Sequence, residues 1–145
     1  MTLKCDVLYN RTNYDTRKKH VRKTKSDEYK YPLIHSTPKG GIRYMYSSVN
    51  TKGLFGIPKV IFGETGTYNS IIDMDGKYGM TPQSIGIKID NEEEGRNIKN
   101  AIESEKFKDV LKSCSWGNYN IDHRLFTYFK KDFYNYLDID KWKAF

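Results

Sequence analysis

Residues 71–79, IIDMDGKYG, set the triplet Asp75-Gly76-Lys77 behind an apolar run, with a further acid, Glu64, upstream. Two carboxylates can hold a divalent cation, and a lysine beside them can meet a scissile phosphate, which is the chemistry of a metal-dependent nuclease. The same letters also spell a turn. Asp-Gly is favoured in two-residue type I′ hairpin loops, where both central residues take positive φ. A turn accounts for the glycine and puts Asp75 at a hairpin tip, whereas a metal site needs it on a central strand. Acid-x-Lys also recurs by chance in a chain so rich in lysine. The expectation is therefore a hairpin, with a nuclease built on Glu64, Asp75 and Lys77 as the alternative.

Other reactive residue types are scattered. His20, His35 and His123 belong to no local motif, and Cys5 and Cys114 lie far apart outside any CxxC or Cys/His cluster, which disfavours structural zinc. Walker-type and HExxH spacings are absent, and none of the four prolines is adjacent to another, which excludes an Asn-Pro-Pro-aromatic methyl-transfer motif. Glu92, Glu93 and Glu94 follow Asp90 and Asn91, the pattern of a capped helix N-terminus more than of a metal site.

Charge is the stronger signal. The net +7 comes wholly from residues 1–50, which hold eleven basic against four acidic side chains, while residues 51–145 hold fourteen of each. A basic segment of this kind gains free energy by displacing counterions from phosphates, so a polyanion partner is expected. No apolar run reaches the roughly 20 residues that cross a bilayer, and the start MTLKCDVLYNRT lacks the apolar core of a signal peptide, so no membrane partner and a cytoplasmic setting are expected.

The elements that must position these groups follow from periodicity. LKCDVLY alternates as a strand, and residues 10–28 have no apolar period and form a basic loop or arm. YKYPLIHS and GIRYMYSS flank TPKGG as a hairpin, with Ile42, Tyr44 and Tyr46 on one face, where the tyrosines are expected in the core, and Arg43 and Met45 on the other. IPKVIFG and SIGIKID are further strands. Helices follow after residue 90, after Ser104 with Phe107, Val110, Leu111 and Cys114 as its stripe, and from Asp122 with Leu125, Phe129, Phe133 and Tyr136. The 145 residues thus suggest a single α+β domain, a mainly antiparallel sheet from the N-terminal two thirds with two to three helices from the C-terminal third.

Read in order, YKYPLIHSTPKGGIRYMYSS, FGIPKVIFGETG, DGKYGMTPQSIGI and KSCSWGNYNIDHRLFTYFKKDFY resemble the C-terminal target-recognition region of adenine-specific DNA methyltransferases related to Eco57I-type restriction-modification enzymes, including versions in large DNA viruses. The similarity runs from about Tyr29 to Tyr134. In that family the region follows a catalytic domain that binds S-adenosylmethionine and carries an Asn-Pro-Pro-Tyr motif. Neither is present here, so the resemblance implies recognition of double-stranded DNA without catalysis, and S-adenosylmethionine only in a separate methyltransferase domain or subunit. A detached fragment, a split subunit and a stand-alone relative all fit, in a host cytoplasm or, if viral, a viral factory.

Target recognition needs cations for phosphates and planar or amide side chains for base edges. Arg17, Lys18, Lys19, Arg22, Lys23 and Lys25 are the expected phosphate contacts. Lys39 at the hairpin tip, Arg43 on its returning strand and Lys59, just before the apolar VIFG run, are expected near bases. Gln83 and Asn118 are weaker base-reading candidates, more simply read as loop residues. A protein-interaction module that has lost DNA binding is a further alternative.

Overall fold

The computed structural model describes residues 6–9, 18–51, 54–64 and 66–114, with side chains to residue 109. The strands are β1 (Val7–Leu8), β2 (Val21–Arg22), β3 (Tyr31–Ser36), β4 (Arg43–Ser47), β5 (Lys59–Gly63), β6 (Gly66–Asp73), β7 (Gly79–Met80) and β8 (Ser84–Lys88). Two helices follow, α1 (Glu92–Ile102) and α2 (Glu105–Cys114). The architecture is α+β and mainly sheet, but the strands divide into two four-stranded sheets, ordered β1-β8-β5-β6 and β2-β4-β3-β7. Among the described strands the pairings are antiparallel except that of β3 with β7, and an isolated parallel bridge joins Thr37 to Thr67. The third expected helix, from Asp122, lies outside the described residues.

All five residues of β5 are buried, and alternation explains why. Val60 and Phe62 join Ile85, Ile87 and Ile89 beneath Ile98, Ala101 and Ile102 of α1 and Phe107 of α2. Ile61, on the opposite face, meets Ile34 of β3 and Met80 of β7. The first sheet is therefore a middle layer between the helices and the second sheet. A fully buried Ile or Phe stabilises by about 1.5–3 kcal/mol, so both interfaces contribute substantially. The outer face of the second sheet has a smaller cluster, Val21, Leu33 and Met45 with Phe55 against it.

Helix α1 starts as its residues require. The Asn91 side chain accepts from the Glu94 backbone N–H at 2.8 Å, and the three glutamates occupy the first turn. The end of α1 is tied to β6, the longest strand and an edge of its sheet. Thr67 Oγ1 donates to the Ile102 carbonyl at 2.7 Å, Lys99 Nζ donates to the Ser70 carbonyl at 2.6 Å, and the Ser70 N–H donates to Glu103 Oε1 at 3.1 Å. An edge strand offers its backbone to stray partners, and these side chains occupy it at Ser70.

IIDMDGKYG is a turn, as its Asp-Gly suggests, but not a hairpin. Strand β6 ends at Asp73, and the chain crosses to the second sheet, where β7 lies parallel to β3. Gly76 has φ +67, and Asp75 is not among the residues of positive φ, so this is not a type I′ loop. Asp73 organises the crossing. Its carboxylate accepts from the backbone N–H groups of Lys77 at 2.9 Å and Tyr78 at 3.0 Å, and from Lys59 Nζ at 2.8 Å. Lys59 stands directly opposite Asp73 in the β5–β6 ladder, is fully buried, and also donates to the Ile57 carbonyl at 3.1 Å. Burial lowers the Lys59 pKa from its ordinary value, while the hydrogen bond and charge of Asp73 act to raise it.

Removing one partner of such a pair strands the other charge in the interior. Lys59→Met is therefore expected to destabilise the fold by about 3–5 kcal/mol in urea unfolding. The glycines of the crossing differ in what they tolerate. A Cβ on Gly76 would lie 2.4 Å from the Gly56 Cα, whereas one on Gly56, at φ +81, would meet nothing within 4 Å. Gly56→Ala should cost about 1 kcal/mol for its backbone conformation alone, and Gly76→Ala clearly more, in the same assay.

Candidate nucleic-acid interface

Residues 18–47 hold eight lysine and arginine side chains against two carboxylates, and all eight cations are exposed. They sit on the second sheet and its connections. Lys18 and Lys19 precede β2, Arg22 is on it, and Lys23 and Lys25 follow it; Lys30 leads into β3, Lys39 occupies the β3–β4 turn, and Arg43 opens β4. Arg17 lies outside the described residues.

Local structure holds part of this group in place. The predicted arm contains a short strand, because Val21 is buried and pairs with Ser47 of β4. The Lys18 carbonyl accepts from the Val21 N–H at 3.1 Å, closing the turn that carries Lys18 and Lys19. Arg22 donates to the Lys19 carbonyl at 2.8 Å and lies over the Tyr29 ring, 4.9 Å from its centroid. Its guanidinium is thus oriented rather than loose, and a planar cation so held can meet a phosphate through its remaining N–H groups.

One of the nominated cations, Arg43, stands beside His35, a residue with no spacing signal in the sequence. His35 is half-buried, and its pKa is lowered first by burial and then by the charges of Arg43 and Lys23. Its Nδ1 lies 2.9 Å from the Thr81 hydroxyl, which also accepts from the Gln83 N–H at 3.2 Å. A hydroxyl that accepts from Gln83 can donate its own hydrogen to Nδ1, the arrangement of a neutral imidazole protonated at Nε2. His35 and Arg43, side by side at the β3–β4 bulge, can together face an anion. The lone histidine carried no spacing signal; only the β3–β4 pairing brings it beside Arg43.

Lys59 must be reassigned. Expected near bases, it is instead the first residue of β5, fully buried and ion-paired with Asp73. Lys39 remains at the opposite end of the hairpin from the β2 pairing, so the cations form no single compact patch. Gln83 is exposed in the turn between β7 and β8, and Asn118 lies outside the described residues.

The tyrosines of β4 lie less in the core than expected, although Ile42 on their side packs against Ile34, Ile61 and Met80. Met45 and Ser47 are buried, and Tyr44 is 36% exposed. Tyrosine is amphipathic, so its ring can stay at a wet surface where a core position is expected.

The alternative metal site is not assembled. Glu64 follows the end of β5 that pairs with Gly66, while Asp75 lies beyond the end where Lys59 pairs with Asp73, about 13 Å away along the strands. Among the described residues no group of three or more His, Cys, Asp and Glu side chains could hold a metal ion. No described helix is long and apolar enough to cross a membrane. Comparison with protein-family models, with curated proteins and with solved structures gives no match to this chain.

Because the folded His35 has a pKa below 6.5, the unfolded chain takes up a proton where the folded chain resists it. Folded-state stability should therefore fall as pH drops below 6.5 toward the lowered value, and this contribution should be absent above 6.5. His35→Asn should lose less stability than the native protein between about pH 7.5 and about pH 5.5, measured by urea unfolding at each.

Proposed function

We propose that this chain is a DNA-binding target-recognition module that performs no methyl transfer itself. The observation that carries this is the concentration of eight exposed cations on residues 18–47, around one sheet. A polyanion is the partner such a surface meets with greatest gain, through release of counterions from its phosphates. Lys18, Lys19, Lys23 and Lys25 serve as phosphate contacts, Arg22 as an oriented one, and Arg43 with Lys39 lies closest to base edges. The binding of S-adenosylmethionine and the action on adenine belong in this reading to a separate methyltransferase domain or subunit. That finer assignment rests on the sequence resemblance.

Double-stranded DNA of mixed sequence, titrated by fluorescence anisotropy, tests the reading. Affinity should fall by about a hundredfold or more between about 50 and about 200 mM salt. Replacing Lys18 and Lys19, or Lys23 and Lys25, in pairs with glutamine should weaken binding on all sequences and reduce the salt slope by about two. Arg43→Ala should instead change the preference among sequences. Absence of binding at the lower salt, or a slope unaffected by the paired replacements, would remove the basis of the proposal.

A further inference from the structure

Tyr44 and Tyr46 stand at i and i+2 on β4 and so share a face. Their rings are 6.4 Å apart between centroids and inclined by only 24°. Tyr78, arriving from the Asp73 crossing, adds a third ring whose centroid is 6.2 Å from that of Tyr44, at 35°. The result is a row, Tyr46, Tyr44, Tyr78, drawn from two distant parts of the chain.

Packing fixes the row at Tyr78 and leaves its middle ring the most open, with Tyr46 and Tyr78 half-buried. Tyr78 packs against the buried Ile34, Ile61 and Met80, while Tyr44 is 36% exposed. A cation stands at each end. Arg22 is the cross-strand partner of Tyr46 and shares its face, and Lys77 Nζ lies 5.4 Å from the Tyr78 ring centroid. Burial, with Tyr78 beside it, raises the Tyr44 pKa above its ordinary value of 10.0, so at neutral pH no phenolate opposes a nearby phosphate.

We infer that the Tyr46–Tyr44–Tyr78 row is a stacking platform for unpaired nucleobases, and that the DNA taken by this chain presents single-stranded or extruded bases to it. The inference rests on the DNA-binding reading above and adds the form of the ligand. In a duplex, bases cover one another and show only their edges in the grooves. Ring faces can stack only on bases that have left the helix, and cations flanking such rings track the connecting phosphates. Charge complementarity between Arg22, Lys77 and a phosphate backbone favours this occupant over an apolar one.

The full chain should be titrated with a perfect duplex and with the same duplex carrying a central mismatched bubble that contains 2-aminopurine. The bubble should bind about tenfold tighter than the duplex, and 2-aminopurine emission should drop on binding as the base stacks. Tyr44→Ala should erase the preference for the bubble and leave duplex affinity unchanged, and Tyr44→Phe should keep both. Tyr78→Leu, which keeps an apolar side chain on the Ile34, Ile61 and Met80 cluster but removes the ring, should weaken the preference. Should Tyr44→Ala fail to fold, Tyr44→Thr, which suits a strand, takes its place. Equal affinity for bubble and duplex, with a steep salt dependence for both, would overturn the platform and leave the DNA-binding reading standing. Absence of binding to either at low salt would overturn both. Concentration-dependent dimerisation of the native chain that Tyr44→Ala abolishes would assign the row to a second copy and overturn the inference.

Discussion

A lysine with no exposure to solvent is tolerable only when its charge is met, and the contact between Lys59 and Asp73 at 2.8 Å meets it. Three connections depend on that contact. It joins β5 to β6 by a cross-strand pair, it fixes the end of β6 where the chain leaves the first sheet, and through Asp73 it organises the backbone of Lys77 and Tyr78 on the way to β7. Moving two charges into the interior is costly, so such a pair is better understood as specifying one geometry than as adding stability over an apolar alternative. Here the geometry specified is the angle at which the chain crosses between sheets. The N–H of Gly56, donating to the Gly76 carbonyl at 2.9 Å, closes the same crossing from its other side.

Much of this fold is legible in the residues, and the exceptions share a physical cause. Strand β5, the β3–β4 hairpin around TPKGG and the capped start of α1 follow directly from apolar periodicity and turn chemistry. Strand β6 does not, because its buried Thr67, Ser70 and Asp73 are polar and find their partners in distant elements. Strand β2 hides in a charged segment, where a single buried valine suffices once β4 is alongside. Lys59 and Tyr44 mislead in opposite directions for the same reason. Side-chain type predicts burial on average, while these positions are decided by a specific partner: a carboxylate for the lysine, and a neighbouring ring row for the tyrosine. The candidate site was visible as charge but not as geometry. His35, Tyr44 and Tyr78 come from separate segments and acquire neighbours only when β3, β4 and β7 are assembled.

The two sheets divide the physical tasks. The first, covered by α1 and α2, holds the largest apolar cluster and gives the second a rigid backing through Ile61, Ile34 and Met80. The second has a thinner apolar cluster on its outer side and bears the exposed cations. Charged groups so placed gain from being mounted on a stiff support, since less conformational freedom is lost when they meet a ligand. The bulge between Ile34 and Ser36, which gives β3 an extra residue opposite Arg43, increases local twist and sets His35 beside the Arg43 charge without disturbing the pairing on either side.

The strand order has a consequence for how the chain reaches this arrangement. The first sheet takes β1, then β5 and β6, then β8, while the second takes β2 to β4 and later β7, so neither sheet is a continuous length of chain. Strand β1 meets β8 across some eighty residues, with Val7 beside Ile87, and β3 meets β7 across more than forty, with Leu33 beside Gly79. Loops of that length must close before their contacts stabilise anything, which places the protein among the slow, non-local folders, on the order of milliseconds to seconds. During synthesis the hairpin of β3 and β4 emerges well before β7, leaving one edge of β3 uncovered until the later segment arrives. Lys30 and Lys39, exposed at the two ends of β3, bring charge to that strand and oppose its pairing with a second nascent copy.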